Sequence, residues 1–85
     1  MTEKTIEEMK IFLEDLIGEK CRSNQLIDLW DQQYLIFTFL TNPFDQKYFK
    51  YICDLLQSEF ANFVNAVGNT KGRLDIIFNI TTNKE

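Results

Sequence analysis

The chain has 85 residues, of which 45% are hydrophobic and 14% aromatic, and this predicts one small folded domain, residues 1–85. Its core is expected between about residues 5 and 80. Nine basic and thirteen acidic residues give a net charge of −4, which argues against general nucleic-acid binding because phosphate contacts depend on clustered Lys and Arg.

The first predicted element is a helix. Thr5-Ile6-Glu7-Glu8 fits a capping box, in which a hydroxyl and a carboxylate satisfy backbone donors reciprocally. Apolar residues then recur at helical spacing until Gly18, which is typical of a left-handed helix end. We therefore expect an amphipathic helix between these two signals.

A β-hairpin is predicted next. Leu26 to Trp30 forms its first strand, and Tyr34 to Leu40 its second, which we expect to be central because apolar residues occupy both faces. Asp31-Gln32 is the predicted turn, although this pair is poorer than Asn-Gly. Trp30, beside the turn, is expected to close the edge of the core.

The second half of the chain predicts a long helix and a third strand. Asn42 can cap the helix and Gly68-Asn69 supplies a left-handed exit, so the helix runs from about Pro43 to Val67. Alternating apolar residues from Leu74 to Ile80 predict the last strand. The fold class is therefore α+β, with two layers in α-β-β-α-β order and a three-stranded sheet covered on one face by two helices.

The long helix carries apolar residues on two sides. The stripe expected to cover the sheet contains Phe49, Ile52, Cys53, Leu56, Phe60, Phe63, Val64 and Val67. The second stripe contains Phe44, Tyr48, Tyr51 and Leu55, and these four are the candidate partner-binding residues. In one interpretation the second stripe packs against the first helix. In the other, the two tyrosines stay partly exposed as a docking surface, because aromatic residues with a polar tip are favoured at interfaces.

This sequence contains few residues of the kinds that usually form catalytic or metal-binding sites. Histidine is absent, which removes Ser-His and Cys-His mechanisms and most zinc sites. Cys21 and Cys53 have no metal-type spacing and no signal peptide beside them, so we expect reduced thiols in a cytoplasmic protein. The apolar run from Tyr34 to Leu40 is far shorter than the roughly 20 residues that cross a bilayer. We expect no enzyme activity, no cofactor, no metal and no membrane association.

The run "DQQYLIFTFLTNPFDQKYFKYICDLL" followed by "RLDIIFNI" resembles the N-terminal domain of the bacterial replication initiator DnaA. In that family a strand leads through an Asn-x-Phe turn into a long helix, and Asn42 and Phe44 match the turn. Tyr48 and Phe49 match an aromatic and apolar pair on the helix. The predicted order is also similar to the small domain of the helicase-loading protein DciA. Both share a KH-like architecture, which implies a protein-docking module of DNA replication.

The resemblance favours a non-enzymatic adaptor that binds a protein, such as a replication protein, or associates with itself during replication initiation or helicase recruitment. No helicase-contact residue is carried over, because this chain offers only Glu19 to Asn24 where the family has a second short helix. The alternative is a small acidic inhibitor, such as an immunity protein or a phage antagonist of a host nucleic-acid enzyme. In both hypotheses nucleic-acid binding is weak or absent.

Overall fold

The computed structural model describes residues 5–41, 46–68 and 71–81. Its helices are α1 (Ile6–Ile17) and α2 (Gln46–Glu59). Its strands are β1 (Cys21–Leu29), β2 (Gln32–Leu40), β3 (Phe63–Gly68) and β4 (Arg73–Asn79). They form an open sheet in the order β1-β2-β4-β3, in which all neighbours are antiparallel. The sheet thus consists of two hairpins whose inner strands, β2 and β4, pair at its centre.

Local signals set both ends of α1. Thr5 Oγ1 accepts a hydrogen bond from the Glu8 N–H at 3.1 Å, and the Glu8 carboxylate accepts one from the Thr5 N–H at 2.9 Å. Gly18 has φ +83° and donates its N–H to the Glu14 carbonyl at 2.8 Å. The predicted capping box and left-handed helix end are confirmed.

The predicted long helix is wrong beyond Glu59, where α2 ends. Residues predicted to continue it, from Phe63 to Gly68, form β3 and pair with β4. The sheet therefore has four strands and not three, and the KH-like order is not confirmed. A short apolar run does not by itself distinguish helix from strand, and here β-branched Val64 and Val67 together with the partner strand favour the strand. The predicted cap and exit residues at 42, 43 and 69 lie outside the described residues.

The first hairpin also differs from its prediction. β1 starts at Cys21 rather than Leu26, and the turn is Trp30–Asp31 rather than Asp31-Gln32. Trp30 is 87% exposed and does not close the core edge. The expectation was wrong because it assumed that a large aromatic residue at a strand end would be buried.

One face of the sheet holds the core. The inner strands contribute three directly opposed, buried pairs, which are Leu35–Phe78, Phe37–Ile76 and Phe39–Leu74. The helices add Met9, Leu13, Ile17, Ile52 and Leu56. On the opposite face of the same strands, Thr38 Oγ1 lies 2.7 Å from Asp75 Oδ1. Both helices therefore pack on one face, as the predicted two-layer arrangement requires.

Candidate interaction surface

The four predicted partner-binding residues have different environments. Phe44 lies outside the described residues. Tyr48 is half-buried, packs against the core and donates its hydroxyl to the Leu16 carbonyl of α1 at 3.3 Å. Tyr51 is 57% exposed, whereas Leu55 is half-buried. The geometry thus places Tyr48 against α1 and leaves Tyr51 on the surface, and partner binding by these residues stays a prediction.

A larger exposed apolar group lies on the first hairpin. Every residue from 22 to 29 of β1 is exposed, and β1 is an edge strand of the sheet. Four large apolar residues are exposed here, namely Leu26, Ile27, Leu29 and Trp30. We call these four residues the hairpin tip. Adjacent strand residues point to opposite faces, so the tip presents apolar surface on both sides of the sheet.

The turn at the tip is conformationally unfavourable. Trp30 has φ +50° and Asp31 has φ +65°, and two-residue hairpin turns with positive φ at both positions prefer Asn-Gly. A left-handed backbone costs about 1–2 kcal/mol for a residue with a side chain, and a bulky residue there is an outlier. Such strain is found most often at functional sites. The sequence therefore places its one tryptophan where neither backbone preference nor core burial favours it.

The start of β2, directly after the turn, is hydrogen-bonded to the end of β4. Gln33 donates its N–H to Thr81 Oγ1 at 2.8 Å and accepts a hydrogen bond from the Ile80 N–H at 2.9 Å. Asn79 Nδ2 donates to Gln32 Oε1 at 2.8 Å. These contacts fix the residues directly after the turn, so Trp30 and Asp31 extend beyond an anchored start of β2.

The two thiols are poorly placed for nucleophilic chemistry. Cys21 and Cys53 are half-buried and unpaired to each other. Burial raises the pKa of both thiols, and the neighbouring Asp54 carboxylate adds to the rise at Cys53. Because the thiolate is the reactive form, this environment lowers their reactivity near neutral pH. Across residues 5–41, 46–68 and 71–81, no group of three or more His, Cys, Asp or Glu side chains could hold a metal ion.

Sequence reasoning missed the hairpin tip as a site. It assigned Leu26 to Trp30 to a strand but took Trp30 for an edge of the core. A signal was present in the turn itself, because Trp-Asp is an unusual pair for a two-residue connection. An unfavourable turn residue that is also large and apolar indicates a role other than folding.

Comparison of the chain with protein-family models, with curated proteins and with solved structures found no significant match. The resemblance to the DnaA N-terminal domain and to DciA therefore stays a prediction from the residues quoted above. Neither helix within the described ranges combines the length and apolar character needed to cross a lipid bilayer.

Proposed function

We propose that this chain is a non-enzymatic protein–protein interaction module that binds its partner through the hairpin tip. The observation that carries the proposal is Trp30, which is 87% exposed in a left-handed turn position. Tryptophan is among the residues that contribute most to binding at protein interfaces. Burying its indole against a partner would recover the apolar surface that folding leaves in water.

The surroundings of Trp30 support the same function. Leu26, Ile27 and Leu29 extend the apolar surface along β1, while Asp28 and Asp31 flank it with exposed carboxylates. An apolar centre with a polar rim is the usual composition of a transient interface. Tyr51 on α2 is a second exposed aromatic residue.

The cellular role follows from the resemblance alone. A DnaA-like domain would act as an adaptor in replication initiation or helicase recruitment in the cytoplasm. The acidic inhibitor is the second candidate. It is favoured by the net charge of −4 and by the exposed carboxylates of Glu7, Glu8 and Asp15 along α1.

The proposal is tested with the double substitution Trp30→Asn/Asp31→Gly, which installs the preferred turn. We expect the thermal midpoint to rise, because about 1–2 kcal/mol of backbone strain is removed. Partner affinity should fall at least about 30-fold, since losing an aromatic anchor typically costs about 2 kcal/mol or more. Ile11→Ser is the matched control, because Ile11 is a half-exposed apolar residue of α1.

The partner is identified with a photo-cross-linking amino acid at position 30, with position 11 as the control site. We expect a defined protein to cross-link only from position 30. If that protein is a nucleic-acid enzyme that the chain inhibits, the inhibitor hypothesis replaces the adaptor. Equal cross-linking from both positions, or unchanged affinity in the Trp30→Asn/Asp31→Gly variant, would overturn the proposal.

A further inference from the structure

We infer that β1 pairs with β1 of a second copy of this chain, in antiparallel register about a two-fold axis centred on Gln25. The inference rests on the proposed function in one respect, that β1 and its hairpin form the interaction surface. It adds self-association of the chain, the register of that association and the residues that determine it.

The outer edge of β1 is open along its length. The strand has nine residues, and no other strand pairs with its outer side in the described part of the chain. Proteins usually protect such an edge with charged side chains, proline, β-bulges or a covering segment. In β1 these devices lie only near the ends, at Asp28 and at Arg22 in a β-bulge, whereas residues 23–27 carry neither a charge nor a proline. The edge is therefore competent for strand addition.

The direction of the backbone groups can be deduced from Asp28. Asp28 lies opposite Gln33 of β2. Gln33 directs its N–H to Thr81 and its carbonyl to Ile80, so both of its backbone groups point away from β1. In an antiparallel ladder both members of such a pair turn their backbone groups outward. The N–H and C=O of Asp28 therefore face the outer edge.

The same alternation applies to every second residue, so Leu26 and Asn24 also present their backbone groups at the edge. A two-fold axis at Gln25 places Asn24 of one copy opposite Leu26 of the other. Outward-facing groups then meet outward-facing groups, as hydrogen bonding requires. Leu26 of each copy lies diagonally beside Leu26 of the other, which covers exposed apolar surface.

Charge complementarity selects this register. Arg22 and Asp28 are the only charged residues of β1. Both are exposed, and neither side chain has an ion-pair or hydrogen-bond partner among the described residues. With Gln25 on the axis, Arg22 of each copy lies opposite Asp28 of the other. The strand is thus electrostatically complementary to its own antiparallel copy.

A β-bulge at Arg22 ends the regular part of β1, so the ladder with the second copy spans residues 23–27 and Arg22 contributes through its side chain alone. The register with β2 shifts between Cys21 and Ser23, so Arg22 is the inserted residue of a β-bulge. A bulge leaves its extra residue unpaired within the sheet and redirects its side chain.

One strand pair is a small interface, so we expect a dissociation constant on the order of micromolar.

Charge exchange tests the register. Arg22→Asp gives two acidic ends and Asp28→Arg gives two basic ends, so each variant alone should have a dimer dissociation constant raised at least about tenfold. An equimolar mixture of the two variants restores both ion pairs and should dimerise as well as the original chain. Analytical ultracentrifugation measures both effects, and circular dichroism checks that each variant folds. A chain that stays monomeric at millimolar concentration, or single variants that dimerise normally, would overturn the inference.

Cross-linking tests the position of the axis. In a Cys21→Ser/Cys53→Ser background, Gln25→Cys should form a disulfide-linked dimer on oxidation, because paired residues on the axis lie within disulfide distance. Ser23→Cys is the control, since it lies opposite Ile27 of the second copy and should remain reduced. Preferential cross-linking from position 23 would contradict the register.

These results separate the two proposals. Loss of partner binding in Trp30→Asn/Asp31→Gly without any self-association would sustain the proposed function and reject the β1 pairing. The opposite result would sustain the β1 pairing and reject the proposed function: self-association would respond to the Arg22 and Asp28 substitutions, while Trp30→Asn/Asp31→Gly would leave partner affinity unchanged.

Discussion

The two hairpins of the sheet have the same topology, but their outer strands, β1 and β3, differ in length and in burial. β3 has six residues, a register shift between Phe63 and Asn65, and only Phe63 and Ala66 withdrawn from solvent, so this edge is short, bent and anchored in the core at two positions. β1 has nine residues and is exposed from its second residue to its last. β1 therefore owes little of its position to core packing, and within the first hairpin the core side chains lie on β2 whereas the exposed apolar surface lies on β1 and the turn.

The turns differ in the same way. The turn before β4 is held against the end of β2, where the Thr41 N–H donates to the Gly72 carbonyl at 2.7 Å. The turn of the first hairpin is solvent-exposed and strained at Trp30. Strain is tolerated where little packing depends on the turn, and the exposed turn at Trp30 meets that condition.

The largest expected effect is at Gly72. Its φ is +88°, and an added Cβ would lie 2.6 Å from the Thr41 carbonyl oxygen. Gly72→Ala should therefore lower the free energy of unfolding by about 2–3 kcal/mol, which combines left-handed strain with a displaced backbone hydrogen bond. Urea denaturation measures this change.

Gly18→Ala is the matched control for that substitution. Gly18 has a similar φ of +83° but no atom within 4 Å of the added Cβ. Only the strain of about 1–2 kcal/mol should appear. Equal losses of unfolding free energy in Gly72→Ala and Gly18→Ala would show that the turn before β4 is no more constrained than the end of α1. That result would weaken the contrast between the two hairpins.

An intermediate effect is expected at matched positions of the two outer strands. Phe63 of β3 and Leu26 of β1 each lie opposite a fully buried residue, Phe78 and Leu35 respectively. The Phe63 ring contacts the Phe78 ring edge-on, with centroids 5.9 Å apart, whereas Leu26 is 61% exposed. Phe63→Ala should cost about 2 kcal/mol, less than full burial would imply.

Leu26→Ala should change the free energy of unfolding by no more than about 0.5 kcal/mol, as is usual at exposed positions. Thermal melts at low protein concentration separate this from any effect on self-association. A loss at Leu26 as large as that at Phe63 would mean that β1 is packed like β3.

The smallest effect concerns pH and identifies where β1 joins the core. Cys21 is the one residue of β1 that is not exposed, and its burial raises the thiol pKa. The folded chain then holds this proton more tightly than the unfolded chain. The resulting stabilisation is complete below the unfolded pKa of about 8.5 and is lost as pH rises through the folded-state pKa.

We therefore expect the unfolding free energy to decline as pH rises above the unfolded thiol pKa of about 8.5. Cys21→Ser should reduce the decline, and Cys53→Ser serves as the comparison because burial also raises the pKa of that thiol in α2. A pH profile that Cys21→Ser leaves unaltered would argue that the start of β1 is as solvated as the rest of the strand.

Sequence reasoning succeeded where the signal is local. Thr5 and Gly18 bound α1 because caps depend on neighbouring residues. The bounds of β2 and β4 were predicted to within two residues, because apolar residues alternate along these strands according to which side chains are buried in the core. The resulting α+β class and the placement of both helices on one face are confirmed.

It failed where distant contacts decide the structure. No glycine or proline separates Glu59 from Phe63, so only pairing with β4 distinguishes β3 from a continued helix. The polar residues at the start of β1 show no alternation, because an exposed edge leaves both sides of the strand in water. The exposure of Trp30 and the contact of Tyr48 with Leu16 depend on where α1 lies, which periodicity does not specify.

The pairing of β2 with β4 also has a kinetic consequence. Each hairpin closes locally, on a timescale of about 1–10 μs, but the hydrogen bond from Thr38 to Asp75 joins residues 37 positions apart. The core is complete only when the hairpins meet, since its opposed pairs come from both inner strands. We expect this encounter to limit the folding rate. Bringing two distant strands together costs chain entropy, and this cost is incurred before any core contact forms to offset it. Thr38→Val should then slow refolding measured by stopped flow, whereas substitutions in β1 should scarcely alter its rate. The side chains of β1 can therefore change without delaying folding.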